Sequence, residues 1–321
     1  MKAIRVHQRG EADAMILEEI ERPRPAAGQV LLKVEVAGVN YADILQRNGQ
    51  YHYLQPLPVI PGFEAAGVVE AVGVDVTTLQ PGMRVFSLVM GGYAEYALAE
   101  AKDVLLLPGE VSPAQAVVIP VQGQTAYLTL TRAARLQKGE RVLIHTAAGG
   151  VGSLQVQLAR LLGAGMVIGT TTSLEKVDFI RSLGADAVVL TNEPDWTKQV
   201  MQLTNGQGVD VVLDAIGGEV RLQTLHCMAL FGRLVIFGTL TGDPTFLPSQ
   251  MLVPNCVSLN GYNTNVQPLS AQRHASEELL RLIASGKLHV MLDDSFPLAN
   301  AVEAHKAIEA RKTHGKVTLT V

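Results

Sequence analysis

The chain has 321 residues, more than the roughly 250–300 at which a single hydrophobic core stops growing, so two domains are expected. Its 26 basic and 30 acidic side chains give a formal net charge of −4, which argues against a nucleic-acid or anionic-membrane binder. Two cysteines, no signal-peptide pattern and no run of about 20 apolar residues predict a cytoplasmic protein without disulfides, cysteine-held zinc or a membrane span.

The first third of the chain differs in pattern from the middle. Residues 1 to about 118 consist of short β-like runs separated by Gly and Pro, which predict many strands joined by tight turns. From about 119 to 265, strand-like runs alternate with helical segments, beginning with RVLIHT and GVGSLQVQLARLLG. This alternation predicts a doubly wound α/β fold, a parallel sheet with helices on both faces. Two of its helices end in Leu-Gly-Ala, at Gly163 and Gly184, where glycine supplies a left-handed cap.

The tail from about residue 266 mixes both kinds of element. It reads as a helix (SEELLRLIASG), a strand (KLHVM), a second helix (ANAVEAHKAIEARKTHG) and a closing strand (KVTLTV). We therefore expect the tail to join the β-rich first part of the chain.

A turn of small residues lies between RVLIH and the helix that follows it. It reads Ala147-x-Gly149-x-x-Gly152, a variant of G-x-G-x-x-G with alanine at the first position. In that pattern the second glycine lets the backbone approach a pyrophosphate, the third permits close helix–strand packing, and the helix N-terminus attracts the anion. A turn that only permits packing is the alternative, but its place in a β/α series favours dinucleotide binding. The predicted cofactor contacts here are Ala148, Gly149, Gly150, Val151 and Gly152.

The next strand ends without a carboxylate. An NAD site places Asp or Glu about 20 residues past the glycine turn, where it binds the ribose 2′-hydroxyl. Here Thr171 stands 19 residues past Gly152, followed by Ser173 and Lys176. Hydroxyl and ammonium donors suit a 2′-phosphate that an acid would repel, so these residues predict NADPH. Glu175 is the nearest contrary feature, and a solvated helix charge is the alternative for Lys176.

Two further strings and the tail carry a family resemblance. They are GVNYAD with RNGQY at 38–51 and PGFEAAG at 61–67, to which GQTAY at 123–127 and EAHKAIEARKTHGKV add. With the glycine turn, these strings resemble the medium-chain dehydrogenase/reductase superfamily nearly end to end, most closely its zinc-free quinone oxidoreductase (zeta-crystallin-like) branch. The resemblance implies a β-rich GroES-like catalytic domain at 1–118 and 266–321, and a dinucleotide-binding domain at 119–265.

The resemblance also bears on metal. Zinc alcohol dehydrogenases, the sister branch, have a cysteine ligand at the position of Asn40 and a histidine ligand at that of Phe63. A zinc site needs three such ligands, no cysteine-rich lobe follows Phe86, and the eight histidines form no metal motif, so no metal is predicted. Without a Lewis acid, the site suits an acceptor that is already electrophilic, a quinone or an α,β-unsaturated carbonyl.

By resemblance, three residues are expected at the reacting centre. Asn40 contacts the nicotinamide ribose or the substrate, Thr125 contacts the nicotinamide, and Tyr51 lines the acceptor pocket. Ordinary turn, cap or exposed-loop roles are the alternatives for these residues. Asp43 and Glu64 are expected to hydrogen-bond the backbone near the cofactor.

The resemblance gives other residues a role around the cofactor. Phe237, Gly238 and Thr239 follow a strand and are expected beside the nicotinamide, with plain core packing as the alternative for Phe237. Lys316 is expected either to reach a phosphate or to be a strand-edge lysine. The resemblance also implies pairing through the last strand of the cofactor sheet, and because RLVIFGTL or CVSLNGYN could be that edge strand, a homodimer is expected.

Two positions depart from the branch. Some relatives have a tyrosine where Leu45 stands, which weakens the preference for quinones, and others stack a tyrosine near the adenine where Thr191 stands. The sequence therefore predicts an NADPH-dependent quinone reductase that acts on a small molecule by hydride transfer. An NADPH-dependent enal or enone double-bond reductase and a nucleotide-binding protein without catalytic activity are the alternatives.

Overall fold

The computed structural model describes residues 1–243 and 245–321. The strands in this part are β1 (Lys2–Val6), β2 (Met15–Glu19), β3 (Gln29–Val39), β4 (Glu64–Val72), β5 (Arg84–Leu88), β6 (Tyr96–Glu100), β7 (Leu105–Leu106), β8 (Arg141–Ile144), β9 (Met166–Thr171), β10 (Ala187–Leu190), β11 (Val209–Asp214), β12 (Met228–Ile236), β13 (Ser258–Gly261), β14 (Leu292–Pro297) and β15 (Lys316–Thr320). The α-helices are α1 (Tyr41–Asn48), α2 (Pro113–Ala116), α3 (Gln124–Leu128), α4 (Gly150–Leu161), α5 (Val177–Ser182), α6 (Trp196–Leu203), α7 (Gly218–Thr224), α8 (Ser249–Leu252), α9 (Leu269–Ala284) and α10 (Ala301–Glu309).

The described residues divide into two compact units. One contains Met1–Gly123 and Ser276–Val321, and the other contains Gln124–Ala275. Both divisions fall within helical stretches, one of them inside α9, whereas the sequence patterns change at about residues 118 and 266. Within residues 1–243 and 245–321, a membrane-spanning helix, which needs a long apolar segment, is not found.

The second unit is built around a six-stranded sheet in the order β10-β9-β8-β11-β12-β13, with every pairing parallel. The central strands β8 and β11 are mostly apolar and buried, and Val211, Val212 and Leu213 of β11 are fully inaccessible, which is typical of parallel strands covered on both faces. Gly163 and Gly184 end α4 and α5 at φ +93° and +104°, which confirms the predicted left-handed caps. The predicted doubly wound α/β fold is confirmed.

One edge of this sheet is β13. The string CVSLNGYN therefore contains an edge strand, whereas RLVIFGTL contributes to β12, which pairs with β11 on one side and β13 on the other. Leu259 of β13 is 40% exposed, and Phe231 of the neighbouring strand β12 is 69% exposed. Of the two strings predicted to pair across a dimer, only CVSLNGYN has a free sheet edge among the described strands.

The first unit contains a seven-stranded sheet in the order β14-β15-β3-β4-β5-β7, with β6 also paired to β3. The strand β3 runs antiparallel to both β4 and β15, so the end of β3 lies beside the start of β4 and the start of β15. These three strand ends belong to residues 39, 64 and 316, which are far apart in the chain. The sheet order thus brings several predicted site residues to one place.

One predicted strand is wrong. The string KLHVM is not extended in a sheet, and the strand β14 begins directly after it, at Leu292. Lys287 and Leu288 donate backbone hydrogen bonds to Leu282 O, and Gly286 has φ +67°. These residues are therefore used to end α9, which removes them from the sheet.

Candidate active site

The glycine turn connects β8 to α4, whose N-cap is Gly149 in an extended conformation (φ −78°, ψ 176°). Among the described residues, no side chain caps this helix. A Cβ on Gly152 would overlap with Thr146 O, and one on Gly149 would lie 3.3 Å from the same oxygen. Close helix–strand packing therefore requires glycine at 152, and the bare helix start with its unpaired N–H groups fits a pyrophosphate.

The alanine at the first position of the turn also has a steric reason. Ala147 is fully buried, and its N–H donates to Thr170 O at 3.0 Å. A Cβ added to Gly169 on β9 would lie 2.9 Å from the Ala147 Cβ. The methyl group of Ala147 thus occupies space that Gly169 leaves open.

The end of β9 presents hydroxyl groups without a carboxylate. Thr171 Oγ1 accepts from Ser173 N at 3.2 Å, and Lys176 N donates to Ser173 O at 3.2 Å. Ser173 and Lys176 are half-buried, whereas the side chain of Glu175 is exposed. Local hydrogen bonds thus hold the backbone of Ser173 and Lys176 in the turn that follows Thr171, and hydroxyl and ammonium groups are the kind of donors that suit a phosphate monoester.

In the first unit, Asn40 lies in a buried cluster with Glu64 and Lys316. The Asn40 Nδ2 donates to Glu64 Oε1 at 2.7 Å, and Lys316 Nζ donates to Asn40 Oδ1 at 3.0 Å. Lys316 Nζ also donates to Glu64 Oε1 and to Val39 O, so its three hydrogens have three acceptors. Lys316, for which a phosphate contact or a strand-edge position is predicted, is instead 1% exposed and bound within this cluster.

A second buried network starts at Asp43, next to Asn40. Asp43 Oδ2 accepts from Asn40 N at 2.7 Å and from Tyr93 Oη at 3.2 Å, and Tyr93 Oη is 3.0 Å from His305 Nε2. The Arg47 guanidinium lies 3.2 Å from His305 Nδ1, so that nitrogen accepts and Nε2 carries the hydrogen. The polarity is therefore fixed: His305 donates to Tyr93, and Tyr93 donates to Asp43.

Burial dominates the titration of this network. It raises the pKa of Asp43 to about 7, and the charge of Glu64 acts in the same direction, while the Asn40 N–H and Lys316 oppose it. Burial, followed by the charge of Arg47, lowers the pKa of His305 to about 3. Asp43 Oδ1 has no hydrogen-bond partner among the described residues. The neutral form of Asp43 is therefore favoured far above the usual pH range of a carboxyl group.

Tyr51 belongs to a run of aromatic rings. Its ring centroid is 5.4 Å from that of Phe63 and 4.3 Å from that of His52, and both Tyr51 and Phe63 are half-buried. Phe63 directly precedes Glu64, the carboxylate bound to Asn40. Tyr51 and Phe63 thus form an aromatic pair within the first unit.

In the second unit, the buried Thr125 is hydrogen-bonded to Thr264, with 2.9 Å between the two Oγ1 atoms. Thr264 Oγ1 is 3.3 Å from Tyr262 Oη, and burial raises the pKa of Tyr262 to about 12, so its hydroxyl stays protonated. Thr125 O also accepts from Thr129 Oγ1 at 2.7 Å. The structure therefore holds Thr125 in a small hydroxyl cluster.

The segment Phe237, Gly238 and Thr239 follows β12 directly, as predicted for a loop at the carboxyl end of the sheet. Arg221 Nη2 donates to Gly238 O at 2.7 Å, and its Nε donates to the buried carboxylate of Asp214. Phe237 N donates to Asp214 O at 3.0 Å. The ion pair between Arg221 and Asp214 thus holds the segment 237–239 in place through the hydrogen bond to Gly238 O.

Sequence reasoning missed several residues that support these clusters, namely Tyr93, His305, Arg47, Asp214, Arg221, Tyr262 and Thr264. Asp214 and Arg221 could have been found from a local pattern. Asp214 ends a strand, Arg221 follows seven residues later, and the Gly-Gly pair at the start of a helix lies between them. Tyr93 and His305 are 212 residues apart, and no local pattern indicates their contact.

These features define a two-unit fold of the dinucleotide-binding class. Two family models match: "Zinc-binding dehydrogenase" over residues 150–285 and "Alcohol dehydrogenase GroES-like domain" over residues 26–109. Although the first description names zinc, no group of three or more His, Cys, Asp or Glu in residues 1–243 and 245–321 could hold a metal ion.

Similar proteins cover the whole chain. It is 33% identical to a 2-haloacrylate reductase from Burkholderia sp. over 98% of this chain and 97% of that one, and 32% identical to the quinone oxidoreductase of Sus scrofa over 99% and 97%. The crystal structure of the Escherichia coli quinone oxidoreductase complexed with NADPH matches at a TM-score of 0.94, with 29% identity and full coverage of both chains. The chain belongs to the quinone oxidoreductase branch of the medium-chain dehydrogenase/reductase superfamily, as its motifs predict.

Proposed function

We propose that the chain is an NADPH-dependent oxidoreductase that reduces quinones without a metal ion. The observation that best supports NADPH is the set of Thr171, Ser173 and Lys176 at the end of β9, where an NAD site would carry a carboxylate. The quinone oxidoreductases among its relatives, one of them solved with NADPH, support the same cofactor and acceptor class.

When bound, the reduced nicotinamide supplies a hydride to the acceptor. The residues of the chain then have binding and orienting roles. The start of α4 binds the pyrophosphate, Asn40 and Thr125 orient the nicotinamide half or the acceptor, and Phe237, Gly238 and Thr239 pack beside it. Tyr51 and Phe63 offer aromatic surface to a planar acceptor and exclude water from it.

The acceptor class is tested by steady-state kinetics. We expect oxidation of NADPH by 1,4-benzoquinone and 9,10-phenanthrenequinone with a kcat/KM at least tenfold above that for a panel of 2-alkenals and enones. The second candidate, a double-bond reductase, is favoured by the 2-haloacrylate reductase among the relatives and by Leu45 in place of a tyrosine. Activity on enones alone would establish that candidate, and bound NADPH that no acceptor oxidises would indicate a non-catalytic protein.

Replacing Lys176 by alanine is expected to raise the Kd for NADPH about five- to tenfold, the effect of losing one charge-assisted contact to the 2′-phosphate. The Kd for NADH should change less than twofold, because NADH has no such phosphate. Lys198→Ala, at a lysine of α6 paired with Asp195, is the matched control. Fluorescence titration measures both constants, and an equal loss for the two nucleotides would contradict a phosphate role.

The free edge of β13 is proposed as the pairing edge of a homodimer. A cytoplasmic location stays a prediction from the sequence.

A further inference from the structure

Three strand ends meet around Asn40. Asn40 follows the end of β3, Glu64 begins β4 and Lys316 begins β15, and β3 pairs antiparallel with both of the others. All three side chains are nearly inaccessible, with exposures of 3%, 0% and 1%. A buried ion pair and an asparagine predicted to act in the reaction are therefore neighbours by topology.

Space for the carboxylate is provided by a glycine. A Cβ on Gly38 of β3 would overlap with Glu64 Oε1, Cδ and Cγ. The second carboxylate oxygen, Oε2, accepts from Val121 N at 2.9 Å. The Glu64 side chain is thus fixed from two sides, and it cannot turn away from Asn40 without losing hydrogen bonds.

The ion pair determines which way the Asn40 amide faces. The oxygen and nitrogen of a carboxamide have nearly the same shape, so only their partners distinguish the two orientations. An ammonium group can only donate and a carboxylate can only accept. Lys316 therefore requires Oδ1 on its side, at 3.0 Å, and Glu64 requires Nδ2 on its side, at 2.7 Å.

We propose that Lys316 and Glu64 are positioning residues, which hold the Asn40 amide so that its second Nδ2 hydrogen is offered to an oxygen of the bound nicotinamide ribose or acceptor. One Nδ2 hydrogen is bound to Glu64, and the cluster contacts described here leave the other for a ligand. This inference rests on the proposed function of Asn40. It gives Lys316 an orienting role in place of a phosphate contact.

The test compares four proteins: the wild type, Asn40→Ala, the paired variant Glu64→Gln with Lys316→Met, and all three substitutions together. The paired variant removes both charges at once, so that neither is left buried alone. Lys33→Met, at an exposed lysine of β3, is the control and should leave activity unchanged. Thermal melting establishes that each variant is folded.

We expect kcat/KM to fall about 10- to 100-fold in the paired variant and by a similar factor in Asn40→Ala, with no further loss in the triple variant, because residues acting through one group are not additive. Calorimetric Kd values for 2′,5′-ADP, which carries only the phosphate end of the cofactor, should stay within twofold. If the paired variant does not fold, Glu64→Gln alone replaces it in the same comparison. The decrease in kcat/KM that Glu64→Gln causes should then be absent when Asn40 is already alanine.

The proposal would be overturned if the decreases in kcat/KM of Asn40→Ala and of the paired variant multiplied in the triple variant. Full activity of the paired variant would also overturn it. A tenfold rise in the Kd for 2′,5′-ADP in the paired variant would assign Lys316 to a phosphate instead. If the wild type catalyses the oxidation of NADPH by none of the acceptors, the proposed function fails. The calorimetric Kd for NADPH then replaces kcat/KM in the same comparison and still decides the role of the pair.

Discussion

Replacing Arg221 by leucine is expected to lower the free energy of unfolding of the second unit by about 3–5 kcal/mol. The substitution leaves the fully buried carboxylate of Asp214 without the guanidinium that neutralises it. It also removes the hydrogen bond to Gly238 O, so the affinity for NADPH should fall as well. Trp196 is the single tryptophan, is buried in this unit and lies next to His145, so its fluorescence in urea reports on the unfolding.

Two controls separate the buried charge from the loss of packing. Asp214→Asn combined with Arg221→Leu removes both charges, so it should lower the free energy of unfolding clearly less than Arg221→Leu alone. Arg181→Leu breaks an exposed pair with Asp178 on α5 of the same unit and should lower the free energy of unfolding by less than about 1 kcal/mol. If Arg221→Leu lowers it by no more than Arg181→Leu does, the argument is contradicted.

The second large effect is a dependence of stability on pH that is caused by Asp43. Its pKa is about 7 in the folded protein, because of burial, and its ordinary value is 3.8. Above pH 4 the unfolded chain has released this proton while the folded protein keeps it, so rising pH favours unfolding until about pH 7. The stabilisation present below pH 4 is therefore lost across this window, by about 4 kcal/mol in total.

Calorimetric unfolding of the wild type and of Asp43→Asn between pH 4 and 8 measures this effect. The asparagine keeps an acceptor for Tyr93 and for the Asn40 N–H but does not titrate. The difference in stability between the two proteins should therefore shift steadily in favour of Asp43→Asn as pH rises. Asp13→Asn, at a 75% exposed side chain, should follow the wild type. A difference that stays constant across the range would disprove the assignment.

The parts of the molecule that depend on local pattern could be predicted from the sequence. The glycine turn, the caps at Gly163 and Gly184 and the parallel sheet each follow from residues close together in the chain. The error at KLHVM has a local cause that competes with strand formation, because the end of α9 uses the backbone of Lys287 and Leu288.

The support of the site could not be predicted in the same way. Lys316 contacts Glu64 across 252 residues, and that contact exists only because β15 lies beside β3 in the sheet. The sequence shows a lysine at the start of a strand, but neither its burial nor its partner. Residues that touch a cofactor leave a motif, whereas the residues that orient them are brought together by sheet order.

The position of β15 in its sheet has a consequence for biosynthesis. This strand lies between β14 and β3, yet it comes last in chain order among the described strands, whereas the strands of the parallel sheet lie between residues 141 and 261. A ribosome therefore releases all the strands of the nucleotide-binding unit before the other unit can close. Until residues 316–320 emerge, the carboxylate of Glu64 lacks the ammonium group of Lys316. We therefore expect the nucleotide-binding unit to fold first and the unit that contains β3, β4 and β15 to fold after it.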